Sequence, residues 1–313
     1  MFSGGRRWRR WREHREPGGL AIFAFHGVVL EPLTVPAFCF TPADAFRRQL
    51  RCIERSHHVL PFDDALRALG ENRLEGPTAA LTFDDGFQSL HDLVLPFLRA
   101  LGLPASCFLA TAAVGSEALL WFCRLHRAVS QTPHPSLAWK GQRYDLSTTA
   151  LRAQTSAQLQ ARLKKLPAPQ LEREVDAIAL ALDDDPAAPP AADSPFRSLD
   201  HASITALEQS GLVRFGGHTH RHAILSALSS EAQREEIGTS LGLVREWVDD
   251  PLSIFAYPNG EASDVGPEAM EILRGQRISA ALSAVHGRAQ RSSPSLALPR
   301  ICLGPDFFED QIQ

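Results

Sequence analysis

From Leu20 onward the chain alternates short, almost wholly apolar runs with amphipathic helical patterns, and this alternation constrains the fold more than any other feature. Seven runs read as strands, at residues 20–25, 79–83, 105–109, 212–215, 252–256, 278–282 and 298–302. Runs this short and this apolar suit strands that are buried on both faces. Helical patterns lie between them, at 42–55 (with Thr41 as the expected cap), 90–101, 202–210, 230–248 and 267–274. A repeated strand–helix order of this kind predicts a parallel sheet or a closed α/β barrel.

One stretch breaks the rhythm. Residues 121–198 hold helical patterns at 149–166 and 170–182, followed by a Pro- and Asp-rich segment at 183–195 that reads as an extended, solvated connector. The expected organisation is therefore one barrel domain over 17–313 with a mostly helical insertion at about 121–198.

Composition narrows the function classes. With 313 residues and 44% apolar content the chain can bury a substantial core. Its formal charge of −4 argues against a nucleic-acid binder, whose footprint is basic. That charge is unevenly spread: residues 1–16 carry six arginines against Glu13 and Glu16, a net +4, which leaves −8 on the remainder. The arginines within 6–12, together with Trp8 and Trp11, suit peripheral contact with an anionic membrane surface. The five cysteines form no C-x-x-C pair and read as reduced, buried side chains. No removable export signal is evident, so the expected location is cytoplasmic, at the inner face of the membrane if the basic head docks there.

Chemistry-bearing residues collect at the ends of the expected strands. In Leu81-Thr82-Phe83-Asp84-Asp85-Gly86 an apolar strand ends in two adjacent carboxylates, so one can bind a metal while the other takes a proton. His218 and His222 are four residues apart, a spacing that puts both imidazoles on one face of a helical turn. Helical geometry would turn His220 away from that pair, as a supporting or surface group. Two histidines and one carboxylate leave coordination positions open, as a catalytic divalent site requires. The turn Pro258-Asn259-Gly260 offers backbone N–H groups as oxyanion donors. His26 and Arg300 fall near the same rim, Arg300 least clearly, and that rim is where α/β barrels assemble their sites.

Taken in order, Thr82-Phe83-Asp84-Asp85-Gly86, His218-Thr219 with His222, and Phe255-Ala256-Tyr257-Pro258-Asn259-Gly260 resemble the motifs of the polysaccharide deacetylase family, the NodB-homology or carbohydrate esterase family 4 type. The resemblance extends over about residues 20–120 and 199–303. It implies a distorted (β/α) barrel that holds a divalent metal, commonly Zn2+, and hydrolyses N-acetyl groups of amino sugars. Asp85, His218 and His222 then correspond to the metal ligands, Asp84 to the general base, and Asn259 to the backbone donor for the oxyanion. Two positions depart from the family pattern. Ala256 stands where an arginine usually orients the base, and Arg300 is the candidate replacement. A C-terminal Leu-x-His is not evident, which leaves His26, after Phe25, or else His286 as the proton donor, with His26 preferred.

The FAYPNG form of the third motif and the mid-chain insertion resemble deacetylases of exopolysaccharide and capsule pathways. The implied partner is an N-acetylated glycan or lipid-linked oligosaccharide. Two other readings stay open: a metal-dependent amidohydrolase acting on another N-acyl or cyclic amide, such as a formamido sugar, and a glycan-binding module that has lost turnover.

Overall fold

The computed structural model describes residues 19–306 and Ile312, so the basic segment at 1–16, including 6–12, lies outside the described residues. The described chain begins with β1 (Ala21–Phe25), β2 (Gly27–Val29), β3 (Phe40–Pro42), α1 (Ala43–Ser56), β4 (His58–Val59), α2 (Phe62–Gly70) and β5 (Thr78–Phe83). A π-helical turn (Leu90–Val94) leads into α3 (Leu95–Leu101) and β6 (Ala105–Leu109). After α4 (Trp121–Gln131) come β7 (Ser136–Trp139), β8 (Gln142–Asp145), α5 (Thr149–Leu163), α6 (Ala168–Ala181) and α7 (His201–Gln209). The order closes with β9 (Val213–Gly217), α8 (Ser230–Trp247), β10 (Ile254–Ala256), α9 (Pro267–Gly275), β11 (Ala280–His286) and β12 (Leu298–Cys302).

Each of the seven strands expected from the sequence forms, and together they make a closed parallel barrel. Its order is β1-β12-β11-β10-β9-β6-β5, and β5 returns to β1 in register from Ala21↔Ala79 to Phe25↔Phe83. Alternate residues of the strands divide between two apolar clusters, as a period of two requires. Ile22, Ala80, Phe108, Ile254, Leu282 and Leu298 share the barrel interior. Phe23, Phe25, Leu81, Phe83, Cys107 and Phe215 pack outward with Phe46, Leu50 and Ile53 of α1 and Leu207 of α7. No helix among the described residues is long and apolar enough to cross a membrane.

The structure corrects several local expectations. Thr41 does not cap α1: it lies buried in β3, and Pro42 takes the cap position without a side-chain hydrogen bond. The helix expected at 90–101 opens as a π-turn before α3. Residues 121–198 contain, besides helices, the antiparallel hairpin β7–β8, whose turn uses Lys140 and Gly141 at φ 47° and 76°. Two successive positive φ values match the tight turn that a right-twisted hairpin needs. The acidic connector is not freely solvated. The buried guanidinium of Arg127 donates to Asp184 (3.1 Å) and to the carbonyls of Asp185 (2.7 Å) and Ala188 (2.9 Å). Trp121, Leu125, Leu159 and Ile178 share an apolar cluster with Val29, Phe40 and Phe87, so this region packs against the loops that follow β1 and β5.

Candidate active site

Three chain segments build the centre at the C-terminal rim: the end of β5, the loop after β9 and, through Arg300, β12. The first is the end of β5. The N–H of Asp84 donates to the Phe25 carbonyl (2.9 Å), which fixes the end of β5 beside the end of β1 and His26. Asp85 then turns into left-handed conformation (φ 73°), followed by Gly86 (φ 78°). A Cβ on Gly86 would stand 2.7 Å from the Leu109 side chain, so no larger residue fits without displacement.

The second segment follows β9, and it is a loop where the His-x-x-x-His spacing suggested a helical turn. Thr219 (φ 61°) and His222 (φ 55°) are both left-handed, which no helix accommodates. The loop is held from outside. Glu236 of α8 accepts the N–H groups of His220 (2.9 Å) and Arg221 (2.8 Å), and residues after β6 donate to Thr219 and His220. Glu236 escapes sequence reasoning because it looks like any charged helix residue; its signal is that it lies on the buried face of α8. His220 meets Thr111 Oγ1 at 3.0 Å, so it supports the loop and stays out of the histidine pair.

Around these turns Asp85, His218 and His222 bring their ligand atoms within 4.8 Å of one another. His218 Nε2 and His222 Nε2 stand 3.3 Å and 3.2 Å from Asp85 Oδ1. Such spacings match the edges of a tetrahedron whose bonds are about 2.0–2.1 Å, the length usual for zinc. The Asp85 oxygens are buried and lack a hydrogen bond within the protein, which is costly unless a cation satisfies them. His218 Nδ1 donates to the Ala256 carbonyl at 2.8 Å, the kind of contact that would aim its other nitrogen at a metal. The donor set therefore fits a divalent metal. Burial opposes the charge on Asp85, but His222 and His218 outweigh it and hold the carboxyl well below its usual range. Burial lowers the pKa of His222, whereas His218, also buried, is raised by Asp84 and Asp85.

Asp84 sits next to this trio and is clamped by Arg300. Nη1 and Nη2 of Arg300 reach Oδ1 and Oδ2 of Asp84 at 2.8 Å and 2.7 Å, and Nε donates to the Ser283 carbonyl at 2.8 Å. Both residues are buried, at 2% and 3% exposure. Against the penalty of burial, Arg300 first and His218 next keep Asp84 ionised. Arg300 lies in the middle of β12 rather than past its end. It follows the inward-facing Leu298 by two positions, so its long side chain rises inside the barrel to the rim. Ala256 is small and fully buried, so no group from β10 competes for Asp84.

His26 follows β1, half-buried, with Nδ1 unpartnered inside the protein. Its charge is among those that favour the ionised forms of Asp84 and Asp85. His286 ends β11, exposed, as the register partner of Arg300. Asn259 is left-handed (φ 62°), and the neighbouring Gly260 N–H is consumed by the Pro258 carbonyl (2.7 Å). A cavity of about 360 Å3 adjoins His222, with Trp121, Leu166, Leu171, Ile224 and Leu228 in its walls.

A closed parallel barrel with this donor set and a clamped carboxylate at its rim is an arrangement suited to metal-assisted hydrolysis. The sequence matches the polysaccharide deacetylase family over residues 71–274, more than half of its length, and the chain belongs to that family. It is accordingly a hydrolase of carbon–nitrogen bonds that deacetylates polysaccharide. The matched span includes Asp84, Asp85, His218, His222 and Asn259 and excludes His26, His286 and Arg300.

Solved structures share the fold. Streptococcus pyogenes deacetylase PplD, in complex with acetate, has a TM-score of 0.61 at 16% identity, over 95% of this chain and 97% of that one. IcaB from Ammonifex degensii has a TM-score of 0.58 at 18% identity, over 94% and 95%. A de-N-acetylase from Aggregatibacter actinomycetemcomitans has a TM-score of 0.56 at 12% identity, over 94% and 98%. Among curated protein sequences, none matches the chain.

Proposed function

We propose that the chain is a metal-dependent N-deacetylase acting on N-acetylhexosamine units of a bacterial surface polysaccharide or of its lipid-linked precursor. The observation that carries this reading is the buried Asp85 carboxylate, without a hydrogen bond in the protein and 3.2–3.3 Å from two imidazole nitrogens, beside an Asp84 held ionised by Arg300. Asp85, His218 and His222 would hold the cation, and their donor chemistry favours Zn2+. Once bound, it supplies Lewis acidity that polarises the amide carbonyl and lowers the pKa of the attacking water.

The remaining roles belong to the chain. Arg300 fixes the Asp84 carboxylate, which keeps a free lone pair on each oxygen and accepts a proton from the attacking water. The Asn259 backbone N–H donates to the oxyanion that forms as water adds to the carbonyl. His26 gives its proton to the leaving nitrogen as the C–N bond breaks, which releases acetate and a free amine. A partly exposed imidazole at the rim can exchange that proton with solvent. The +4 charge of residues 1–16, with Trp8 and Trp11, supports a cytoplasmic enzyme resting on an anionic membrane face.

The deciding experiment is an acetate-release assay on metal-quantified protein with N-acetylglucosamine oligomers and lipid-linked acceptors. Acetate release that a chelator abolishes and zinc restores is the expected result. Formate release from formamido sugars, without acetate release, would replace this reading with the amidohydrolase alternative. No release from any acyl substrate would favour a glycan-binding module.

A further inference from the structure

Lys164 belongs to none of the motifs, yet it reaches one of them. It caps the C-terminus of α5 within the insertion, and its ammonium donates to the side-chain oxygen of Asn259. The Asn259 amide donates in turn to Asp264, which also accepts the Glu261 N–H at 3.0 Å. Beneath this chain the turn is tied to the barrel, because the Ala284 N–H donates to the Gly260 carbonyl at 2.7 Å. A Cβ on Gly260 would meet that same Ala284 nitrogen at 2.7 Å, so the turn sits tightly against β11. Asn259 itself holds a left-handed φ of 62°, a conformation open to asparagine that its side-chain contacts help to hold.

Those contacts come from two directions, Asp264 from its own loop and Lys164 from the insertion. Lys164 is half-buried, and Glu261 and Asp264 offset part of the cost of burying its charge. Burial first, and the Lys164 charge to a smaller extent, lower the pKa of His222.

We infer that Lys164 is a positioning residue for the reaction: by anchoring the Asn259 side chain it fixes the turn whose backbone N–H meets the developing oxyanion. This rests on the deacetylase reading above, in which Asn259 supplies that donor. The insertion thereby completes the active site as well as covering it. A preorganised donor matters most in the transition state, and removing one outright lowers kcat by about 10²–10³. Loosening a donor through its turn is a smaller perturbation, so a loss of about 10-fold in kcat is expected, with KM within about 2-fold. A lysine that merely braced the insertion against the barrel would lower Tm and leave kcat unchanged.

The test is steady-state acetate release from N-acetylglucosamine oligomers by the full chain, comparing wild type, Lys164→Met, Asn259→Gly and the double variant. Lys164→Gln, one atom shorter and uncharged, is measured beside it at a length from which its amide reaches Asn259 less well, and Lys164→Ala replaces the methionine variant if that one fails to fold. Asn259→Gly removes the side-chain handle while permitting the left-handed turn. The expected result is a kcat loss in Lys164→Met at near-constant KM, with no further loss when it is added to Asn259→Gly. Wild-type kcat in Lys164→Met and Lys164→Gln, or losses that multiply in the double variant, would overturn the inference. Wild-type protein that releases no acetate overturns the deacetylase reading itself, an outcome separable from the first.

Discussion

Arg300 and Asp84 meet through two parallel hydrogen bonds of 2.8 Å and 2.7 Å inside the mouth of the barrel, although 216 residues separate them. A fork-to-fork contact of this kind fixes the plane of the carboxylate as well as its charge. Arg300→Lys should keep the charge and lose the plane, because an ammonium cannot bind both oxygens in that geometry. We expect a kcat loss of about 10–10²-fold with bound metal unchanged, measured by acetate release and metal analysis on the same preparation. Arg300→Met should also destabilise the fold, by about 3–5 kcal/mol, since it strands a buried carboxylate.

The two adjacent carboxylates should separate by their phenotype. Asp85→Ala removes a member of the Asp85–His218–His222 cluster and is expected to abolish stoichiometric zinc and activity together. Asp84→Asn should retain zinc and lose about 10²–10⁴-fold in kcat, the range typical of a general base. Near-wild-type turnover in Asp84→Asn would remove Asp84 from that role.

Replacing each histidine in turn identifies the proton donor. His26→Asn is expected to lower kcat about 10²-fold with little change in KM, and His286→Asn to lie within about 2-fold of wild type. The reverse pattern would transfer the role to the end of β11. His26 is favoured because the Asp84 N–H binds the Phe25 carbonyl, which puts the two strand ends side by side.

Acid should weaken the fold through histidines that are buried in neutral form. Burial pushes His126 of α4, which packs edge-on against Phe196, down to about 4, and burial with Arg288 does the same to His57. Their unfolded pKa is about 6.5, so between 6.5 and 4 the unfolded chain binds more protons than the folded one. Their contribution is fully present above about 6.5 and is lost as pH falls toward 4. His126→Phe should remove up to about 3 kcal/mol of that acid-dependent loss. Denaturant titrations of wild type and variant at pH 7.5 and 4.5 measure the difference, and parallel losses in both proteins would exclude His126 as a source.

The sequence by itself determined the seven barrel strands, because an apolar run buried on both faces leaves a local signature. It also put candidate residues at the strand ends, because Asp84, Asp85, His218, His222 and Asn259 all stand in short contiguous motifs. Even the inward direction of Arg300 follows from its two-residue spacing after Leu298. Tertiary structure alone decided what those residues do to one another. The His218–His222 segment is a left-handed loop and not a helical turn, because Glu236 and the residues after β6 take its backbone groups. Arg300 reaches Asp84 only after the barrel closes between β1 and β5 and the register shifts between Leu282 and His286 along β11. Lys164 meets Asn259 only once the insertion has packed over the rim. Local patterns encode which residues are buried and in what periodicity. The distances between side chains on different strands depend on closure and register, which are properties of the whole sheet.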